Sequence, residues 1–167
     1  MATPTNLPAA FVAGAILTAD QQNNLRGAFR VLQVVNASTV TPVTNNTNGY
    51  IDTGLTATIT PQSATSKILV LLSQNGNYKA VGDAGSALTL KLMRGATDIS
   101  FPAIEMGFNG INGETILGSI STCVLDNPAT TSAVTYKTMF ANRVNAASVR
   151  VQLLAAMSTM VLMEISA

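Results

Sequence analysis

From Arg30 onward, apolar residues recur at every second position. Val31, Gln33 and Val35 point one way while Leu32 and Val34 point the other. Leu55, Ala57 and Ile59 alternate with Thr56, Thr58 and Thr60, and Leu88, Leu90 and Leu92 with Thr89, Lys91 and Met93. Val134, Tyr136, Thr138 and Phe140 repeat the pattern, as do Val149, Val151 and Leu153. A period of two is that of a strand with one buried face, and threonine suits the exposed face because its branched Cβ fits an extended backbone. Thr115–Leu125 also reads as a strand. Ile68–Leu72 and Met160–Ile165 are different, being apolar on both faces apart from Glu164. Turn signals separate these runs at Pro61–Ser66, Arg94–Asp98 and Asp126–Ser132, and Thr39–Asn48 reads as a polar loop. Phe101–Gly113, broken by Gly107, Gly110 and Gly113, also reads as a loop. About eight strands result, which predicts an all-β fold, a jelly-roll-like antiparallel β-sandwich.

Residues 1–29 follow another rhythm. Leu7–Leu17 is apolar and has the length of a signal-peptide core, yet no Lys or Arg precedes it, and it is too short to cross a bilayer as a helix. Thr18-Ala19-Asp20-Gln21 has the form of a capping box, in which the Thr hydroxyl and the Gln side chain satisfy the first free amides. It predicts a short helix from Ala19 to Phe29 with Leu25 and Phe29 on one face. The expected organisation is an N-terminal docking segment, 1–29, and a sandwich, 30–167.

Composition narrows the function. Charged residues are only 10% and hydrophobic ones 47% of the 167, which suits a packed β protein with an uncharged polar surface. The nine cations are scattered between Arg26 and Arg150 with no basic run, so the chain lacks the clustered charge that nucleic-acid binding needs. Cys123 has no second cysteine to pair with and, in an apolar alternating run, reads as a small buried hydrophobe. Because two strands are apolar on both faces, the outer face of each is expected to meet a neighbouring subunit.

Three segments carry a resemblance. They are Ile59–Val70 (ITPQSATSKILV), Leu125–Lys137 (LDNPATTSAVTYK) and Met160–Ala167 (MVLMEISA). In this order they resemble a family of short tail-fibre and minor structural proteins of tailed bacteriophages. GAILTADQQNNLR, at residues 14–26, is similar to attachment segments of phage tail proteins. The resemblance implies a particle component, assembled in the host cytoplasm and resident in the virion. It implies a homotrimeric knob attached through its N-terminus to another virion protein, with Phe11, Val12, Ile16, Leu17, Leu25 and Phe29 as attachment residues. Trimer contacts are expected at Leu69, Leu71, Met160, Leu162 and Met163. As a fibre, the knob would touch a host surface glycan through Tyr50, Tyr78, Phe108 and Asn109. The rival expectation is a capsid decoration protein that clamps the head shell.

Candidate chemistry is sparse. The chain has no His, which removes the usual general base and the commonest transition-metal ligand. Its eight acids form no close cluster in sequence, and no phosphate-binding glycine motif or acid-rich calcium loop is present. No enzyme activity, no cofactor and no membrane insertion are therefore expected. Glu164 breaks its local rule, lying in an apolar strand; it is expected to be paired if buried, with Arg30, Lys67 and Lys91 as candidate partners.

Overall fold

The computed structural model describes residues 31–166 together with Gly14, Ile16, Thr18 and Ala19. The predicted helix and the attachment residues Phe11, Val12, Leu17, Leu25 and Phe29 lie outside the described residues. Of the attachment set only Ile16 is described, and it is exposed.

The described residues form ten strands: β1 (Val31–Thr39), β2 (Val43–Asn45), β3 (Ile51–Ile59), β4 (Lys67–Lys79), β5 (Leu88–Arg94), β6 (Thr97–Met106), β7 (Thr115–Asp126), β8 (Val134–Asn142), β9 (Val149–Val151) and β10 (Ser158–Ile165). They build two antiparallel sheets. One has six strands, ordered β1-β10-β4-β9-β2 with β7 on the other side of β4, and the second has four, ordered β3-β8-β5-β6. The long strands pair in a nested series, β5 with β6, β4 with β7, β3 with β8 and β1 with β10. A nested hairpin rolled into two facing sheets is the jelly roll, so the predicted sandwich is observed.

Two expectations need correction here. The polar loop Thr39–Asn48 contains β2, which pairs with β9 through Val43↔Val151 and Asn45↔Val149. The loop expected from Phe101 begins only after Met106, because β6 runs through Pro102. Proline is tolerated there because β6 is a sheet edge with a free amide side, and repeated register shifts against β5 blur the period of two. The predicted turn at Arg94–Asp98 is a two-residue hairpin, with Arg94 opposite Thr97 and Gly95 at a φ of 55°. That angle is one glycine adopts without a Cβ clash.

The core lies between the sheets and follows the alternation. Leu55, Ala57 and Ile59 of β3, Leu88, Leu90 and Leu92 of β5, and Tyr136 and Phe140 of β8 meet Ile68, Val70 and Leu72 of β4 and Met160 and Leu162 of β10. A buried polar chain crosses it. Thr138 Oγ1 donates to Gln74 Oε1 at 3.1 Å, and a hydroxyl has one proton, so Thr53 Oγ1 is the donor in its 2.5 Å contact with Thr138. Gln74 Nε2 donates to Ser158 Oγ at 3.0 Å, and Gln152 Nε2 donates to the same oxygen at 3.2 Å. Thr53 and Thr138 belong to the four-stranded sheet, Gln74 and Ser158 to the six-stranded one, so the chain ties the two layers together.

After β9 the backbone does not continue as the strand expected through Leu153. It forms a short 3-10 turn at Leu153–Ala155, with Gln152, Leu154 and Ala155 all at positive φ. This strap crosses β4 at Gly76, where a Cβ would lie 2.5 Å from the Leu153 nitrogen.

Candidate interaction face

The register of the six-stranded sheet sorts its residues into inward and outward rows. One inward row is Val35, Leu162, Val70 and Val124; the next is Ala37, Met160, Leu72 and Thr122. Met160 and Leu162 therefore have no accessible surface. This overturns their expected place in a subunit contact, since a second chain cannot reach a side chain that fills the core of the first. The outward rows are Val34, Met163, Leu69 and Leu125, then Asn36, Val161, Leu71 and Cys123, then Ser38, Thr159, Ser73 and Ser121. Leu69, Leu71 and Met163 keep their expected outward position. Val34 is 56% exposed, Leu125 55% and Leu71 36%. A shallow depression of about 440 Å³ lies among Leu71, Ser73, Ser121, Cys123, Thr159 and Val161.

These twelve positions carry no charge. The outer face of the four-stranded sheet is the opposite, crossed by ion pairs between Lys91 and Asp98 and between Lys137 and Asp52, both at 2.9 Å. Lys91 also stands 4.4 Å over the Tyr50 ring, and burial raises the Tyr50 pKa above its usual value against the lowering effect of that cation. One face thus carries ion pairs and the other, at these twelve positions, carries no charge.

Cys123 is exposed, which corrects the expectation that it is buried. Its position in the row of Leu71 and Val161 puts it outward. The alternation in β7 contained this signal, since Cys123 and Leu125 share a parity opposite to that of the inward-facing Ile120 and Val124, but the register shifts at Gly118 reverse the parity in the first part of the strand.

One end of the sandwich holds the polar residues of the three segments noted above. The inward row there is Gln33, Glu164, Ile68 and Asp126. Glu164 is buried and, among the described residues, meets neither Lys67 nor Lys91; Arg30, the third candidate, lies outside the described residues. Its partners are neutral donors, Gln33 Nε2 at 2.6 Å and the Gln62 amide at 2.8 Å. Burial pushes the Glu164 pKa up, but the hydrogen bonds, led by Gln33, outweigh it and hold the carboxyl below the ordinary value of 4.5. Asp126 accepts from Arg94 Nη1 at 2.7 and 2.9 Å and from the Tyr136 hydroxyl at 2.6 Å. Burial raises the Tyr136 pKa well above its ordinary value, and the hydrogen bond to Asp126 adds to it.

The expected glycan-contact residues are dispersed. Tyr50 lies against the four-stranded sheet, whereas Tyr78 is not in a loop but in β4, within 5.9 Å of the Arg150 guanidinium. The Tyr78 hydroxyl donates to Glu114, which raises its pKa. Phe108 and Asn109 sit together in the β6–β7 connection. Phe108 packs under Arg143 at 4.3 Å, and Asn109 accepts from the fully buried Lys79 Nζ at 3.1 Å. The Ile111 carbonyl, also at 3.1 Å, is the second acceptor for that ammonium. Lys79 gave no signal in the sequence, because a lysine in a strand reads as a solvent-facing residue.

The described carboxylates are each engaged nearby. Besides the contacts above, Glu105 pairs with Arg143 at 3.2 Å, and Asp83 accepts from the Gly85 amide within a turn. Among the described residues no three metal-ligating side chains come together, and no helix is long and apolar enough to cross a membrane. Compared with known proteins, the chain matches no family model and no curated sequence.

Proposed function

We propose that this chain is a non-enzymatic structural protein of a tailed-phage particle, a three-fold fibre knob attached through its N-terminal residues. One observation carries the reading. The three segments that resemble phage structural proteins lie far apart in sequence, yet they converge at one end of the jelly roll and complete one another. Glu164 of the last segment accepts from Gln62 of the first, and Ile68 of the first lies between Glu164 and Asp126 in the sheet. Within the middle segment Asp126 and Tyr136 bond to each other. Motif residues such as Glu164, Asp126 and Tyr136, held in hydrogen bonds within the domain, specify its fold. The resemblance is therefore one of architecture, and the architecture is one that viral coat and lectin-type domains share. Fold alone assigns no function, so the assignment to the particle rests on the motifs.

Antibody–gold labelling of intact particles tests it. Label at the tail or neck is the expected result. Label spread over the head, with hundreds of copies per particle, would make the chain a decoration protein instead. Particles without label would refute the virion assignment.

A further inference from the structure

The sheets end on β1, β2 and β7 and on β3 and β6, and these edges differ. β1 and β3 lie against each other, and Gln33 Nε2 of β1 donates to the Thr60 carbonyl just after β3 at 2.7 Å. β6 carries Pro102 and several register shifts, and β2 has three residues; proline, bulges and brevity are the devices that stop an edge from recruiting another strand. β7 has none of them apart from two register shifts around Gly118. It is 12 residues long, lacks Lys and Pro, and among the described residues pairs only with β4. Its Ile116 is 79% exposed. This unprotected edge borders the uncharged outer face of β1, β10, β4 and β7.

We infer that this face and the β7 edge are covered by a second copy of the same chain. The inference rests on the self-assembly part of the function proposed above and names its surface. Four strands about 4.8 Å apart and five residues at about 3.4 Å each give a flat footprint of roughly 330 Å². Protruding side chains and the β7 edge enlarge it toward the ~800 Å² per partner of a standard stable interface. The apolar part of this face, Val34, Leu69, Leu71, Leu125, Val161 and Met163, is contiguous, and a largest patch of a few hundred Å² is often an interaction site. The absence of charge favours a copy over a different partner, because obligate self-contacts resemble a core cut in half whereas transient partners meet through more polar surfaces. A copy also brings an edge of equal length and an equally uncharged face, so no buried charge is left unpaired.

Cys123 is the chain's one thiol and lies on this face, which makes it the reporter. The full chain is sized by light scattering at micromolar concentration, and its reaction with a soluble aromatic disulfide is timed. An oligomer whose thiol reacts about ten-fold or more slowly than that of Leu71→Lys is expected, since access of the reagent limits the rate. Leu71→Lys should be monomeric with unchanged far-ultraviolet circular dichroism, because the side chain points outward. Thr58→Lys, on the opposite face, should assemble normally. A monomer with a fast thiol overturns the inference. So does an oligomer with a fast thiol or one that survives Leu71→Lys. A monomer with a slow thiol also overturns it and identifies residues 1–30 of the same chain as the cover. Purified protein suffices, so failure here is separable from unlabelled particles.

Discussion

Replacing Glu164 by Gln changes almost no volume and removes one buried charge. Two donors converge on the carboxylate, Gln33 Nε2 at 2.6 Å and the Gln62 amide at 2.8 Å. A glutamine amide offers one acceptor oxygen, so it serves one donor and presents its own NH₂ to the other. One charge-assisted bond worth about 1.5–3 kcal/mol is lost, and a buried donor left unpaired adds about 1–3 kcal/mol. Gln33 softens the second cost, because its side-chain nitrogen already donates to the Thr60 carbonyl at 2.7 Å. The expected loss is about 2–4 kcal/mol, or roughly 6–14 °C in Tm for a domain of this size. The effect has a pH signature. The folded-state pKa is held below 4.5, so this stabilisation is complete above the unfolded value and lost as pH falls through the folded one. The gap between wild type and Glu164→Gln should be constant from about pH 6 upward and shrink below about pH 4. Denaturant titration at neutral pH and thermal melts across this range measure both, at a fixed protein concentration because assembly shifts Tm. A variant within about 0.5 kcal/mol of wild type, the ordinary range for surface changes, would refute the reasoning, as would a gap that ignores pH.

Tyr136→Phe removes the hydroxyl that Asp126 accepts while leaving the Arg94 contact, and should cost about 1.5–3 kcal/mol in denaturant midpoints without altering the fold. Gly76→Ala places a methyl against the Leu153 nitrogen at a φ of 63° and should cost more than the ~1 kcal/mol of an ordinary glycine replacement, with faster hydrogen exchange in residues 152–156 as the local readout.

The strand periods made the layer architecture legible. Leu55, Ala57 and Ile59, or Leu88, Leu90 and Leu92, decide their inward face by parity alone, and a slip of one residue would turn the whole set into water. Parity also sorts Met160 and Leu162 from Met163 once the register is known. Sequence does not supply register where both faces are apolar, so it cannot place Met160 and Leu162 on one face and Met163 on the other. The edge strand β6 was hidden because Pro102 and its bulges erase the period of two, and β2 because three residues are too few to show one. Glu164 stood out as anomalous, but its partners did not. Charge suggested a cation, whereas the fold supplies a side-chain amide 131 residues away and a backbone N–H.

The distribution of charge explains more of this molecule than its amount. With eight acids and nine bases in 167 residues, a soluble surface must be assembled from few ions. The fold concentrates them: Lys91, Asp98, Lys137 and Asp52 on one sheet face, Arg94 and Asp126 at one end, Arg143 and Glu105 beside the β6–β7 connection. Apart from the largely buried Arg94–Asp126 pair, pairs at the surface add little stability, typically under about 1 kcal/mol each, so their placement is better read as marking surface in contact with water. The outer face of β1, β10, β4 and β7 receives none across three consecutive rows, although Lys67 stands at its border. Neutral Thr and Ser occupy the row nearest the β9–β10 strap, and Leu, Val and Met the rows nearest the Glu164 end. Few charges, three uncharged rows on this face and an adjoining 12-residue edge make it the surface on which the proposed contact with a second copy is to be sought.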